Sequence, residues 1–421
     1  MSAEADWHGR RLHFVGAGGT GMSGLARACA QLGAVVTGSD RAHDPGLDGV
    51  SVSVGHAAAN VPEEGELVYS SAVAVDNVER ARARELGLRE LRRGELLAEL
   101  AGLRRCVAIA GTHGKTTTAW MTVWAMRRSG LRPSYVIGAP LRDGSPSSSW
   151  EPGEWLVVET DESDRTFLAL APEIGVVTNV AVEHMREYGS REALEAAFAE
   201  FGSRCGTVLT HPERQVRDLH LGPAGSRFRW RQREVELPVP GAHNAANAAA
   251  ALEACRLAGL DAAATAAALR DYPGARRRLE PIGHSAGGAR VFDDYAIHAN
   301  EVRASLAALR TLTPGRIVAV FEPLLYSRTR EMASELGAAL SAADEVVVLD
   351  VFAGSEAGKD DGSVSGQIVA DAVAGPPALW AATPQVARRH LEPRLGAGDI
   401  CVVMGVGTAP QAVARALAGL G

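Results

Sequence analysis

Short apolar runs recur along the chain, each ending in small or polar residues and each followed by a longer Ala- and Leu-rich stretch with helical spacing. Nine of these runs read RLHFVGAGG, AVVTGSD, LVYSSAV, CVAIAGT, WLVVETDE, IGVVTNV, RIVAVFEP, EVVVLDV and ICVVMGVG. Runs of this length match buried strands, and their alternation with helices predicts α/β architecture with mainly parallel sheets. Charged helical residues over 92–105 precede the CVAIAGT run and place one domain boundary near residue 105. A second is expected at DYPGARRRLEP, where Tyr272, Pro273 and Gly274 end an Ala-rich helix and a basic turn begins. The Ser/Pro/Gly patch over 143–153 reads as a surface loop.

Composition narrows the classes. With 421 residues, 46% hydrophobic and 22% charged, the chain is long enough for two or three domains with full cores. A formal charge of -7 provides no overall basic field, so neither nucleic acid nor a membrane is expected as a partner, and any phosphate binding must be local. The cysteines, at 29, 106, 205, 255 and 401, form no C-x-x-C pair, which suits a reducing cytosol better than a disulfide or zinc framework. MSAEADWHGR has no basic segment followed by an apolar one, and no apolar run reaches membrane-spanning length, so a cytoplasmic protein is expected.

Three segments carry candidate chemistry. In FVGAGGTGMSGLA, Gly16, Gly18 and Gly21 satisfy G-x-G-x-x-G between a strand and a helix, and Asp40 closes the next strand at the spacing used to reach a ribose hydroxyl. A dehydrogenase would present the same pattern, as would any protein holding a nucleotide pyrophosphate there. In AIAGTHGKTTTAWMTVWAM, residues Gly111, Thr112, His113, Gly114, Lys115, Thr116 and Thr117 form a phosphate-cradling turn. Backbone N–H groups meet the anion, Lys115 adds a point charge and the Thr116 hydroxyl can ligate Mg²⁺. The loop is shorter than the usual Walker pattern, because Ile109 stands where the first glycine would be. It also gives the chain a second nucleotide site, which a simple dehydrogenase does not need. In VVETDESDRTF, Glu159, Asp161, Glu162 and Asp164 crowd the end of a strand; such repulsion calls for a cation such as Mg²⁺, the bland alternative being a solvated acidic turn. The next strand ends in Glu183-His184, and PGAHNAANAAAALEA places His243, Asn244 and Asn247 at a helix start, where the amides can read an adenine edge or serve as caps.

In chain order the segments GAGGTGMSGLA, SSAVAVDN, GTHGKTTT, ETDESDRTF, TNVAVEHM, GAHNAANAAAA, GARRRLE, DDYAIHANE and FEPLLYSRTR resemble the Mur ligase family over nearly the whole sequence. The resemblance implies three domains. Residues 1–105 would be a Rossmann-like UDP-sugar domain, 106–272 a central P-loop-type ATPase domain with a mainly parallel sheet, and 273–421 a Rossmann-like domain for the amino acid. It implies an ATP-dependent ligase joining L-alanine or a related amine to the carboxylate of a UDP-sugar such as UDP-N-acetylmuramate through an acyl phosphate, by a monomer or homodimer. It also assigns roles. Lys115, Glu159 and His184 would be catalytic, with Thr116 on one Mg²⁺ beside the phosphates and Glu159 and His184 on a second near the acyl phosphate. His243, Asn244, Asn247, Arg278, Asp293 and Asp294 would serve ATP, the last three through closure of the third domain. Gly18, Gly19, Thr20, Gly21, Met22, Asp40, Ser70 and Ser71 would bind the UDP-sugar, with His298 and Arg328 in the amino-acid pocket.

The chain also departs from the family pattern. Ile297 stands where a first histidine is usual, Glu322 replaces a glutamine, and Leu324 and Leu325 replace a His-Arg pair. These exchanges remove donors that an amino-acid carboxylate would use and point to a changed amine or, further off, to a nucleotide-binding paralogue without catalysis. The segment 206–240 is shorter than its family counterpart, and missing strands are expected there.

Overall fold

The computed structural model describes all residues except 1–3, 42–43, 182–184, 359–361 and 421, and the side chains of Met185 and Arg186. Three α/β sheets account for most of the chain. The first contains β1 (Arg11–Val15), β2 (Val35–Asp40), β3 (Val50–Val54), β4 (Glu66–Tyr69) and β5 (Arg89–Arg92), all parallel, in the order β3-β2-β1-β4-β5. Helix α1 (Thr20–Gln31) connects β1 to β2, while α2 (Val78–Glu85) and α3 (Arg93–Ala101) flank β5. Helix α1 forms because Met22, Leu25, Ala26, Ala28 and Cys29 fall on one face and are buried against the sheet.

The second sheet contains β6 (Arg105–Ala110), β7 (Ser134–Val136), β8 (Ser148–Ser149), β9 (Trp155–Glu159), β10 (Ile174–Val177) and β11 (Thr207–Leu209), ordered β11-β10-β6-β9-β7-β8. Only the β7–β8 pair is antiparallel. Helix α4 (Lys115–Arg128) leaves β6, and α5 (Met185–Tyr188) and α6 (Arg191–Arg204) precede β11. The placement of β6 between β9 and β10 decides the site, because ligands collect where neighbouring parallel strands end and their connections diverge.

Strands β12 (Arg217–Gly222), β13 (Gly225–Trp230) and β14 (Arg233–Leu237) make a small sheet, followed by α7 (Ala242–Leu257) and α8 (Ala262–Ala268). The segment 206–240 holds four strands, β11 to β14. Alternating burial in β13, with Phe228 and Trp230 inside and arginines outside, shows why so charged a sequence still forms a sheet.

The third α/β sheet runs β15-β16-β20-β17-β18-β19. Its strands are β15 (Glu280–His284), β16 (Arg290–Asp294), β17 (Ile317–Phe321), β18 (Glu345–Leu349), β19 (Ala378–Ala381) and β20 (Ile400–Met404). Its helices are α9 (Ala299–Arg310), α10 (Tyr326–Leu340), α11 (Gln367–Asp371), α12 (Pro384–Leu391) and α13 (Thr408–Leu417). Ile317, Ala319 and Phe321 enter one core while Val318 and Val320 enter the other, as a parallel sheet covered on both faces requires.

Packing divides the chain into two compact units, one of Met1–Arg217, Arg229–Val235 and Ala246–Pro273, the other of Asp218–Phe228, Glu236–Ala245 and Gly274–Gly421. The first two sheets share the first unit and one continuous core, from Trp7 and Leu12 through Ala108 and Leu156 to Phe201. No helix among the described residues is long and apolar enough to cross a membrane. The five cysteines are free thiols.

Candidate functional site

The chain after β6 turns sharply at two glycines, Gly111 with φ 121° and Gly114 with φ 82°. Both positions exclude a side chain. A Cβ on Gly111 would meet Thr178 Oγ1 at 2.2 Å, and one on Gly114 would meet Asn247 Oδ1 at 2.3 Å. The end of β10 then clamps the turn. Thr112 N donates to Asn179 O (3.0 Å), His113 N to Asn179 Oδ1 (3.0 Å), and the His113 carbonyl accepts from Thr178 Oγ1 (2.6 Å) and Asn179 Nδ2 (3.0 Å). Thr112 Oγ1 accepts from Ala181 N at 2.9 Å. The loop is thus held from behind, and α4 begins at Lys115 with Thr116 and Thr117 buried in its first turn.

Two carboxylates from the end of β9 meet this helix start. Lys115 Nζ donates to Glu162 Oε2 at 2.7 Å and to the Gly111 carbonyl at 2.7 Å. Thr116 Oγ1 lies 2.9 Å from both Glu159 oxygens, and Gly138 N donates to Glu159 Oε2 at 2.6 Å. Burial pushes the Glu162 carboxyl up to about 7, against the pull of Lys115. Burial works against the Lys115 ammonium too, but Glu162, Asp161 and Glu159 outweigh it and hold its pKa above the ordinary lysine value. For Asp161 burial is outweighed by Lys115 and by the Ser163 N–H, so its pKa is lowered. The acidic segment is therefore no solvated turn: Glu162 is 1% exposed.

Hard oxygen donors at Thr116 and Glu159, one carboxylate beside a phosphate loop, are the set Mg²⁺ takes when phosphates and water complete its shell. Among the described residues no group of three or more His, Cys, Asp or Glu forms a protein-only metal cage. His184 lies outside the described residues.

At the amino-terminal sheet, Gly16 N and Ala17 N both donate to Ser39 O at 2.9 Å, and Gly18 N donates to Asp40 Oδ2 at 2.9 Å. A Cβ on Gly18 would sit 2.7 Å from the Asp40 carboxyl, so the second glycine is required by that contact. Gly19 and Thr20 are exposed at the start of α1, Met22 is buried beneath it, and Ser70 and Ser71 follow β4, with Ser70 Oγ accepting from Ala72 N at 3.1 Å. Behind Ser39 lies Glu79, 0% exposed, which accepts from the Ser39 hydroxyl, from Asn60 Nδ2 (2.6 Å) and from Ala57 N (3.1 Å), with His13 Nε2 at 3.7 Å. Burial would raise this carboxyl, but His13, Ser39, Asn60 and Ala57 hold it at about 2.

In the second unit, Asn244 Nδ2 donates to Pro240 O at 2.7 Å, tying α7 to the preceding turn. Burial lowers the His243 pKa to about 4, partly opposed by Glu301. Asn247, by contrast, lies in the first unit behind Gly114. Arg277 pairs with Asp293 at 3.3 Å and donates to Val406 O at 3.1 Å, while Arg277 and Arg278 both stack on Tyr295. Burial raises Asp294 to about 6, against the Ser305 hydroxyl and Arg278. His298 and Arg328 are together, Nε2 to Nη1 at 3.2 Å. At the start of the helix that carries Arg328, Leu325 adopts φ 63° and its N–H donates to Phe352 O at 2.9 Å, setting Leu324, Leu325 and Phe352 side by side. Glu322 is pushed up to about 7 by burial and accepts from Gly407 N at 2.7 Å, where α13 starts.

Three family profiles match in succession: "Mur ligase family, catalytic domain" over 11–105, "Mur ligase middle domain" over 109–209, and "Mur ligase, glutamate ligase domain" over 277–407. A UDP-N-acetylmuramate--L-alanine ligase of Kineococcus radiotolerans is 42% identical, the match covering 94% of this chain and 93% of the relative. The chain belongs to the Mur ligase family. A ligase of the same name from Acidothermus cellulolyticus is 40% identical over 94% of this chain and 92% of its own. The crystal structure of UDP-N-acetylmuramate-alanine ligase MurC from Thermotoga maritima superimposes with a TM-score of 0.83 at 24% identity, covering 96% of this chain and 97% of that one. This Mur ligase therefore shares the three-domain α/β fold expected from its sequence. Sequence reading missed Thr178 and Asn179 as the clamp on the phosphate loop, Arg277 as the partner of Asp293, and the buried Glu79. The T-N after IGVV was visible, but only the strand order places it against Gly111.

Proposed function

We propose that this chain is an ATP-dependent amide-forming ligase that joins L-alanine to the carboxylate of UDP-N-acetylmuramate, acting in the cytoplasm as a monomer or homodimer. We place its domains at 1–105, 106–272 and 273–421. The carrying observation is the meeting of Lys115 and Thr116 with Glu162 and Glu159 at the ends of β6 and β9. A phosphate loop with an ammonium and a carboxylate-bound hydroxyl suits a γ-phosphoryl transfer.

In this reading the loop N–H groups from Gly111 to Thr117 cradle the ATP phosphates, and Lys115 leaves Glu162 for the γ-phosphate. A carboxylate oxygen of the sugar attacks the γ-phosphorus and ADP departs, giving an acyl phosphate; the amine then attacks the acyl carbon and phosphate leaves. Lys115 offsets the repulsion between the two anions brought together. Thr116 would hold one Mg²⁺ and Glu159 with His184 a second, each supplying charge neutralisation when bound. Gly18 to Met22, Asp40, Ser70 and Ser71 bind the UDP-sugar; His243, Asn244, Asn247, Arg278, Asp293 and Asp294 serve ATP; His298 and Arg328 take the amino acid.

ADP release measured with UDP-N-acetylmuramate and a panel of amino acids tests the reading. Turnover dependent on L-alanine is expected, and amine-independent or absent turnover overturns it. The apolar group of Leu324, Leu325 and Phe352 at the start of α10, the helix that carries Arg328, favours a second reading, in which a bulkier apolar amine outperforms L-alanine in the same panel.

A further inference from the structure

Arg93 opens α3, and its side chain touches both the start of α1 and the acidic turn that follows β9. A Cβ placed on Gly21 would stand 2.7 Å from Arg93 Nη1, so the guanidinium lies over the first turn of α1, beside the third glycine of G-x-G-x-x-G. Its other terminal nitrogen, Nη2, donates to Asp164 Oδ2 at 2.8 Å, with the two side chains 20% and 15% exposed. Asp164 belongs to the acidic turn that carries Asp161 and Glu162, the carboxylates around Lys115. The same junction is packed tightly, since a Cβ on Gly94 would meet Thr166 Oγ1 at 2.8 Å, and Thr166 N in turn donates to Asp164 Oδ1 at 3.0 Å.

One planar cation thus faces two places with different nitrogens. An arginine can do this because its five N–H donors sit in a fixed fork; a lysine, with a single nitrogen, cannot span both in one geometry. An anion over the start of α1 would meet Nη1 without displacing Asp164 from Nη2. It would also polarise and fix the guanidinium, and through it the 161–164 turn.

We propose that Arg93 is a positioning residue that couples the sugar-nucleotide site to the ATP site through Asp164. The proposal rests on the reading of the amino-terminal glycine loop as the UDP-sugar site. Bound diphosphate on α1 engages Nη1 while Nη2 holds the acidic turn, so each ligand tightens the other, and by linkage the factor is the same in both directions.

Titration calorimetry with UDP-N-acetylmuramate and a non-hydrolysable Mg-ATP analogue, each alone and in the presence of the other, tests this. The wild type is expected to show roughly tenfold mutual enhancement. Arg93→Lys and Asp164→Asn are each expected to reduce that factor to near one, and the double variant to add nothing further. A residue with a merely structural role would weaken both ligands or lower Tm while leaving the enhancement factor intact. Two ligands that bind the wild type without mutual enhancement, or a factor retained in both variants, would overturn the proposal alone. Failure of the wild type to bind UDP-N-acetylmuramate at all would overturn the functional reading, and the coupling with it. Asp164→Asn, which keeps the guanidinium and the side-chain volume, covers the case in which the Arg93 variant does not fold.

Discussion

Lys115 Nζ sits 2.7 Å from Glu162 Oε2, so a buried carboxylate holds the phosphate-loop lysine. That pair has two readouts. Lys115→Ala is expected to lower the rate of ADP formation by roughly 10³-fold, since it removes a preorganised charge from the phosphoryl group. It also strips Glu162 of its cation. A carboxyl raised to about 7 binds its proton more tightly folded than unfolded, so its contribution to stability declines as pH rises from 4.5 towards 7. Lys115→Ala steepens that decline. Thermal melts from pH 5 to 8 should show the variant near wild type at the acid end and about 3 kcal/mol less stable at the alkaline end.

Glu159 receives the Thr116 hydroxyl on both oxygens and the Gly138 N–H on one. Glu159→Gln retains the volume but loses the charge. The Mg²⁺ concentration needed for half-maximal ADP release should rise between roughly 10- and 100-fold, with little change in Tm. An unchanged Mg²⁺ requirement would remove Glu159 from the metal set.

Gly114→Ala tests the backbone of the loop. At φ 82°, with Asn247 Oδ1 only 2.3 Å from the new methyl, the substitution carries both conformational strain and a clash. A loss of about 2 kcal/mol is expected by denaturant unfolding, together with a raised KM for ATP. Gly130→Ala, also at positive φ but with open space around it, isolates the conformational part and should cost about 1 kcal/mol.

Glu79 predicts an acid limb in the stability curve. Its folded pKa of about 2 lies below the ordinary 4.5, so its stabilisation is complete above pH 4.5 and is lost as pH falls towards 2. The depression corresponds to about 3 kcal/mol. Glu79→Gln should flatten that limb, and because Ser39 O holds Gly16 N and Ala17 N, it should raise KM for the UDP-sugar more than KM for ATP.

The nine apolar runs all became strands, and runs such as IVAVF, EVVVL and ICVVM are apolar enough to be buried on both faces. Strands such as VSVSV, RELR and RVFDD were not legible, being short, partly exposed or charged, and held by their neighbours. The phosphate loop could be read directly, since glycine, lysine and threonine in that order have few other physical uses. The partners could not. Whether Glu159 or Glu162 faces Lys115, whether Asn247 backs the loop, and which arginine holds Asp293 depend on strand order and on positive-φ turns that no local pattern specifies. By itself the sequence determined the alternation of layers and the chemistry available at each strand end, because period and composition are local properties. Only the tertiary structure decided which of those ends stand side by side. Placing β6 between β9 and β10 set an ammonium against one acid and a hydroxyl against another, and packing α3 beside α1 and the turn after β9 gave Arg93 its two neighbours.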